Sequence, residues 1–347
     1  MNFYKAIIGS IEKLTPDAVS ITLQVDHPEL FKYKPGQYIV LRVPSLNPDA
    51  HRSYSISAAP YENKITIGLK KIEDGLVSTH LCDHAKEGDV VEMMMPEGSF
   101  IIPQYKRDLK IIAFAAGSGI TPILSHIKAV LHSCDQARLS LFYGNKTSES
   151  VLYQNQLSQL LKDYGDRFEL IKVFSREKVG LADLEGRIDR EKINRWKSYM
   201  FDIQSPDYFL ICGPGDMVQD ITVALQNAGV PSEKVLNEYF SSPEEIKPVE
   251  ITLTDLESST IKIKFEKKTY TLEKASIHSV ILDHGLQNGI DLPYSCKSGV
   301  CSTCQAKLIS GKVTMDHNYV LSEKEIAQGY ILTCQSHALT PVVEVEY

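Results

Sequence analysis

Cys296-Lys297-Ser298-Gly299-Val300-Cys301-Ser302-Thr303-Cys304, with Cys334 following after 29 further residues, is the stretch on which the reading of this chain turns. An x4 gap, an x2 gap and one distant fourth cysteine is the spacing of a [2Fe–2S] site held by four thiolates. Such a site is net negative and needs backbone N–H donors and little side-chain bulk around its sulfurs. The small residues Ser298, Ser302 and Thr303 suit that need, and Gly299 is free to take a positive φ. Structural zinc, which usually brings paired C-x2-C units, and a disulfide framework are the competing readings. A one-electron centre requires a donor and an acceptor, so the rest of the chain is read for what loads it.

The chain has 347 residues, 43% of them hydrophobic, and a formal net charge of −7. Length suggests two or three domains, and the acidic balance without a Lys/Arg cluster argues against a nucleic-acid partner. Its most apolar stretch, Ile111 to Ala116, is far too short to span a bilayer. Met1-Asn2-Phe3-Tyr4-Lys5 offers no apolar signal core, so no membrane association and a cytoplasmic location are expected. The remaining cysteines, Cys82, Cys134 and Cys212, are scattered singly, which fits that location.

Three segments follow different grammars. Residues 1–105 read as short strands separated by turn residues, for example Tyr38 to Val43, Lys64 to Lys70 and Val90 to Met95, the pattern of an antiparallel β-barrel. Residues 106–240 alternate buried-looking strands (Leu109 to Ala115, Arg138 to Tyr143, Phe168 to Phe174, Tyr208 to Cys212) with helical stretches such as Thr121 to His132 and Ser150 to Tyr164. That is an α/β doubly wound parallel sheet. Residues 241–248, with two prolines and no apolar periodicity, read as a linker. Residues 249–347 open with strands at Ile251 to Leu253 and Ile261 to Phe265. A helix is expected over Ser276 to His284, with Gly285 as its C-terminal stop, before the cysteine loop.

Two motifs in the first segment suit a flavin. On the strand Arg52-Ser53-Tyr54-Ser55, an aromatic face, a hydroxyl donor and a cation for a pyrophosphate are available from Tyr54, Ser55 and Arg52. Alternation sets Arg52 and Tyr54 on one side and Ser55 on the other. Gly75-Leu76-Val77-Ser78 precedes a short helix whose first N–H groups would meet the other side of an FAD pyrophosphate. An ordinary barrel strand is the alternative for the first motif taken alone.

Gly117-Ser118-Gly119-Ile120-Thr121-Pro122 follows a buried strand and opens a helix, so its backbone can approach a nucleotide diphosphate closely. Cys212-Gly213-Pro214 ends another strand, and strand C-terminal ends face one crevice in such sheets. Cys212 would lie beside a nicotinamide there, or else fill a small buried space. Ser175-Arg176 closes the strand ending at Phe174. A hydroxyl and a guanidinium there suit the 2′-phosphate of NADPH, whereas an NADH site normally sets a carboxylate on the ribose; Glu177 stands nearby, and exposed surface charge is the alternative.

On these residues, R-x-Y-S at 52–55, G-x-x-S at 75–78, G-S-G-I-T-P at 117–122 and C-G-P at 212–214, the first two segments resemble the ferredoxin–NADP reductase superfamily. The third resembles a plant-type ferredoxin, which implies an α+β, β-grasp fold. The order of the three is similar to reductase components of multicomponent oxygenases. Leu292-Pro293-Tyr294-Ser295-Cys296, Met315-Asp316-His317-Asn318-Tyr319 and Gly329 to Ser336 are most similar to the reductase subunit of phenylacetyl-CoA epoxidase, a family whose partner is a di-iron oxygenase. Ketosteroid hydroxylase reductases are close relatives.

The resemblance implies FAD at Arg52, Tyr54, Ser55 and Gly75 to Ser78, and NADPH at Gly117 to Pro122, Ser175, Arg176, Gly213 and Pro214. It also implies Ser55, Cys212 and Glu238 beside the hydride path, and iron at Cys296, Cys301, Cys304 and Cys334. Electrons would leave the cluster for an oxygenase component. A reductase of a haem or ketosteroid oxygenase, or a redox sensor, is the rival reading.

Overall fold

The computed structural model describes residues 2–47, 50–243 and 258–347, which fall into two compact units, Asn2–Phe240 and the chain from Ser241 onward. Most of the expected linker (244–248) and the expected strand at Ile251 to Leu253 lie outside the described residues.

In the first unit, β1 (Tyr4–Thr15), β2 (Ala18–Gln24), β3 (Tyr38–Arg42), β4 (His51–Ser55), β5 (Ile65–Lys70) and β6 (Val90–Met93) form one sheet of order β4-β3-β6-β1-β2-β5. Every pairing is antiparallel. The Ile56–Ile67 bridge joins the chain beyond β4 to β5 and closes the sheet into a barrel. Closure removes exposed edges and points alternate side chains inward. Ile8, Ile21, Ile39, Leu41, Ile67, Leu69 and Met93 fill the interior. Helix α1 (Leu76–Asp83) seals one side with Val77 and Leu81.

The same unit continues as β7 (Lys110–Ala116), α2 (Ile120–Ser133), β8 (Arg138–Asn145), α3 (Gln154–Tyr164), β9 (Phe168–Phe174), α4 (Arg190–Trp196), β10 (Tyr208–Gly213), α5 (Gly215–Asn227) and β11 (Val235–Tyr239). These strands are all parallel, in the order β11-β10-β7-β8-β9. Both faces are covered: α2 and α3 pack with Leu139, Leu141 and Tyr143, while α4 and α5 pack with Phe114, Phe142 and Ile211. That is why β7 reads as an unbroken apolar run. Strand order reverses between β7 and β10, the switch point where such sheets bind ligands.

Helix α2 is buried nearly all round because it serves two neighbours. Beyond its sheet-facing side, Ser125 Oγ donates to the Ala58 carbonyl at 2.6 Å, and His126 Nε2 lies 2.9 Å from the Phe100 carbonyl. Tyr153 Oη adds a bond to Ser57 Oγ at 3.0 Å. Barrel and parallel sheet are therefore joined by buried hydrogen bonds as well as apolar contact.

The second unit comprises β12 (Ser258–Phe265), β13 (Lys268–Ser276), α6 (Ile281–Gln287), β14 (Gln305–Ser310), β15 (Val313–Met315), α7 (Glu323–Ala327), β16 (Tyr330–Leu332), β17 (Ser336–Ala338) and β18 (Val342–Glu346). Its main sheet runs β13-β12-β18-β14-β16, with β12 and β18 parallel and the other pairs antiparallel, and β15 pairs with β17. Ile281 and Leu282 of α6 press onto Ile263, Val343 and Val345, giving the β-grasp arrangement.

The helix expected over Ser276 to His284 is corrected here. Ser276 ends β13, the helix begins at Ile281, and Gly285 lies inside it. The glycine is a packing site rather than a stop, since a Cβ there would collide with Leu292 Cδ1. The chain turns instead at Asn288-Gly289, with Gly289 at φ +74°.

Candidate functional site

The carboxyl ends of β7, β10 and β11 meet the end of barrel strand β4. Glu238 on β11 lies in register with Cys212 on β10, and Cys212 with Ala115 on β7. Ser55 Oγ donates to the Glu238 carboxylate at 3.1 Å, and the Cys212 thiol faces the same oxygen at 3.8 Å. Burial pushes the Glu238 carboxyl up to about 7, against the lowering pull of the Ser55 and Cys212 hydrogen bonds. Cys212 is fully buried, and burial, then the Glu238 carboxylate, pushes its thiol well above the ordinary range. A hydroxyl, a thiol and a carboxyl titrating near neutrality thus share one point between barrel and sheet. Such a group can hold or exchange a proton at working pH.

Along β4, Arg52 is exposed, Tyr54 half-buried and Ser55 buried. Burial raises the Tyr54 phenol above its usual value, so it stays protonated and aromatic at any working pH. Arg52 Nη1 donates to the His51 carbonyl at 2.7 Å. At the start of α1, Leu76 is exposed while Val77 points into the barrel core. Ser78 Oγ accepts from Ile72 N–H at 3.1 Å and donates to the Gly75 carbonyl at 3.3 Å. Its hydroxyl shapes the turn, which leaves backbone N–H groups as what this helix start can offer a phosphate.

The loop Gly117-Ser118-Gly119 makes one tight helical turn and feeds Ile120, Thr121 and Pro122 into α2. Gly117 has φ +53° with open space where a Cβ would stand, and Gly119 is buried so closely that a Cβ would collide with the Cys212 carbonyl. Thr121 Oγ1 bonds the Ser118 carbonyl at 2.9 Å, and Tyr143 Oη bonds the Gly117 carbonyl at 2.9 Å. Gly213 and Pro214 lead from β10 into α5. Both loops thus flank the switch point between β7 and β10 and can cradle a dinucleotide diphosphate. Ser175 and Arg176 stand exposed beyond β9, held by backbone bonds to Asn145 and Lys146. The Glu177 carboxylate accepts Ser148 N–H at 2.6 Å.

The four C-terminal cysteines gather in the second unit, all unbonded to one another covalently. Cys301 Sγ and Cys296 Sγ are 3.1 Å apart, well beyond a disulfide. The four thiols are close enough to share protons: their mutual hydrogen bonds lower Cys296 and Cys304 and raise Cys301 and Cys334. Ser298 N–H approaches Cys296 Sγ at 3.4 Å and Gln335 Nε2 approaches Cys334 Sγ at 3.7 Å. Gly299 takes φ +75° in the loop. Among the described residues no three His, Cys, Asp or Glu side chains surround a point as a single metal ion needs. A two-iron cluster asks for two pairs of thiolates instead, and the donors and sulfurs present fit it.

Two contributors escaped the sequence. Tyr143 supports the glycine loop from a neighbouring strand, and Gln335 braces the cysteine loop, its Nε2 donating to the Lys297 carbonyl at 2.9 Å. Gln335 stands beside Cys334, a position that marks it for attention; nothing local marks Tyr143.

An oxidoreductase FAD-binding domain model matches residues 5–102, an oxidoreductase NAD-binding domain model residues 114–222, and a 2Fe-2S iron-sulfur cluster binding domain model residues 263–339. The chain is 35% identical to a subunit of the 1,2-phenylacetyl-CoA epoxidase of Escherichia coli K12, over 99% of this chain and 98% of that one. It is 29% identical to the ferredoxin reductase component of 3-ketosteroid-9-alpha-monooxygenase of Rhodococcus rhodochrous, over 98% and 95%. Its fold matches the structure of phthalate dioxygenase reductase with a TM-score of 0.61 over 100% of this chain and 98% of that one, at 22% identity. Among the described residues no helix is long and apolar enough to cross a membrane.

Proposed function

Because this chain belongs to the family of oxygenase reductases that unite FAD-binding, NAD-binding and [2Fe–2S] domains, a family that includes a subunit of 1,2-phenylacetyl-CoA epoxidase, we propose that it draws electrons from NADPH and delivers them singly to the di-iron component of a phenylacetyl-CoA epoxidase. It is an oxidoreductase, the electron-transfer reductase of an oxygenase system. When bound, the flavin accepts a hydride and releases single electrons, and the cluster carries these onward.

The observation that carries the redox reading is the convergence of Ser55, Cys212 and Glu238 at the seam of barrel and parallel sheet. There Glu238 holds a proton that Ser55 and Cys212 can share, and the buried Cys212 side keeps water out. The loops Gly117 to Pro122 and Gly213-Pro214 orient the nucleotide diphosphate through the backbone N–H groups of their non-proline residues, while Arg52 and the start of α1 hold that of the flavin. Ser175 and Arg176 take the 2′-phosphate. This preference is supported by Glu177, whose carboxylate is occupied at Ser148 rather than offered to a ribose. Cys296, Cys301, Cys304 and Cys334 hold the exit centre.

The choice of acceptor rests on the 35% identity along the whole chain. Reconstitution tests it: the purified reductase, NADPH and the oxygenase component of a phenylacetyl-CoA epoxidase should form epoxide in step with NADPH oxidation. Faster turnover with the oxygenase of a 3-ketosteroid-9-alpha-monooxygenase would transfer the assignment to that system.

A further inference from the structure

Tyr347 follows β18 and extends its ladder, its N–H donating to the Lys264 carbonyl of β12 at 3.0 Å. Its ring meets Phe265 edge-on, with centroids 5.9 Å apart and planes at 73°. Backbone and ring are both fixed, and the phenol is carried to Thr333, a fully buried residue that directly precedes Cys334. Tyr347 Oη and Thr333 Oγ1 are 2.6 Å apart.

Thr333 in turn fastens the other cysteine stretch. Its Oγ1 donates to the Cys304 carbonyl at 3.0 Å, and its N–H reaches the same oxygen at 3.2 Å. Leu282 N–H of α6 holds the Thr333 carbonyl at 3.1 Å. A carbonyl oxygen only accepts, so the single hydroxyl proton of Thr333 goes to Cys304, and the phenol supplies the proton of the 2.6 Å contact. A chain of hydroxyls thus runs from Tyr347 through Thr333 to Cys304. It ties the backbone of one ligand to the residue beside another. Cys304 and Cys334 are both buried and close enough to share a hydrogen bond. Groups that brace a metal's ligands from behind fix where those ligands stand, and losing one typically costs roughly 10- to 100-fold in metal affinity.

We propose that Tyr347, acting through Thr333, is a positioning residue for the Cys304 and Cys334 half of the iron–sulfur site: it fixes the separation of these two ligands and so slows loss of the cluster. The proposal rests on the cluster assignment. No electron is passed and no bond forms or breaks at either hydroxyl.

The purified full-length holoprotein, held anaerobically with an excess of an iron chelator, reports cluster loss as decay of its visible absorbance, without reference to turnover. EPR of the dithionite-reduced protein reports ligand geometry. Tyr347→Phe removes only the phenol oxygen and keeps the ring; it should speed cluster loss by about tenfold and shift the g values. Thr333→Val should do at least as much, whereas Thr333→Ser, which keeps a hydroxyl, should stay near wild type in both readouts. Because the two hydroxyls act in series, the double variant Tyr347→Phe with Thr333→Val should lose its cluster no faster than Thr333→Val alone. A role confined to packing would lower Tm, leave the g values of the folded protein unmoved, and add in the double variant. A wild-type value of either readout in Tyr347→Phe, a Thr333→Ser protein that behaves like Thr333→Val, or additive effects in the double variant overturns the proposal. If Thr333→Val assembles no cluster, Tyr347→Phe decides alone: faster loss with shifted g values supports the proposal, and a wild-type value of either overturns it. A wild-type protein that binds no iron would instead overturn the cluster assignment beneath it.

Discussion

Ser55 Oγ and the Glu238 carboxylate meet at 3.1 Å although 183 residues separate them in the chain. One belongs to the barrel and the other to the edge of the parallel sheet, so the contact exists only when both have folded and docked. If this pair serves hydride transfer, Ser55→Ala should slow NADPH-driven flavin bleaching by about 100-fold, the usual cost of losing one aimed donor. Flavin content should stay near wild type. Stopped-flow absorbance at the flavin band checks both; unchanged bleaching would remove Ser55 from the hydride path.

Glu238 makes the same site sensitive to pH. Its folded value of about 7 lies above the ordinary glutamate value of 4.5, with burial as the main cause. The folded unit therefore holds this proton more tightly than the unfolded chain. Stability from this group is present below about 4.5 and is lost as pH rises through about 7. Glu238→Gln should flatten that slope in thermal melts between about pH 5 and about pH 8. It should also erase any break near pH 7 in the rate of flavin reduction. A break that persists belongs to another group.

Much of the architecture was legible because each part writes a different periodicity. The apolar run at β7 has both faces covered, and the cysteine spacing belongs to a loop whose geometry the iron chemistry dictates. β13 was not legible, because Lys268-Thr269-Tyr270-Thr271-Leu272-Glu273-Lys274 carries only two buried side chains to Ser276, Leu272 and Ala275. An edge strand with so little apolar signal looks like solvated chain. Gly285 misleads because a helical glycine near an apolar stretch normally marks the end, whereas here the close approach of Leu292 decides. Contacts such as Tyr143 with Gly117, or His337 with Asp316, depend on strand register that no local pattern records.

Cys296→Ser separates entry from exit. The hydroxyl is a poor iron ligand, so iron content and reduction of cytochrome c by NADPH should fall together. Anaerobic flavin reduction should continue near the wild-type rate, because the nucleotide and barrel residues lie in the other compact unit. Cytochrome c reduction that survives loss of the iron would show electrons leaving directly from the flavin.

Arg176 is the test of nucleotide choice. An exposed guanidinium gains most from a doubly charged phosphate, and losing a charge-assisted hydrogen bond costs about 1.5–3 kcal/mol. Arg176→Ala should therefore lower the NADPH to NADH ratio of kcat/KM by about 10- to 100-fold. Most of the change should fall in KM for NADPH. Glu177 should not compensate, because its carboxylate is held by Ser148 N–H.

The two loop glycines should separate folding from binding. At Gly119 an added methyl collides with the Cys212 carbonyl, which belongs to a central strand that cannot retreat. Overpacking of this kind costs about 1–3 kcal/mol, so Gly119→Ala should lower Tm by about 2–12 °C for a unit of this size. At Gly117 the methyl meets nothing, and only the left-handed backbone at φ +53° resists it, by about 1–2 kcal/mol. That open space is where a diphosphate would approach the backbone. Gly117→Ala should thus spare more of the Tm while raising KM for NADPH by the larger factor. The crossed pattern, more melting loss at 119 and more affinity loss at 117, is what a phosphate-cradling loop demands. Equal effects on both readouts would mean that the turn is only a structural corner.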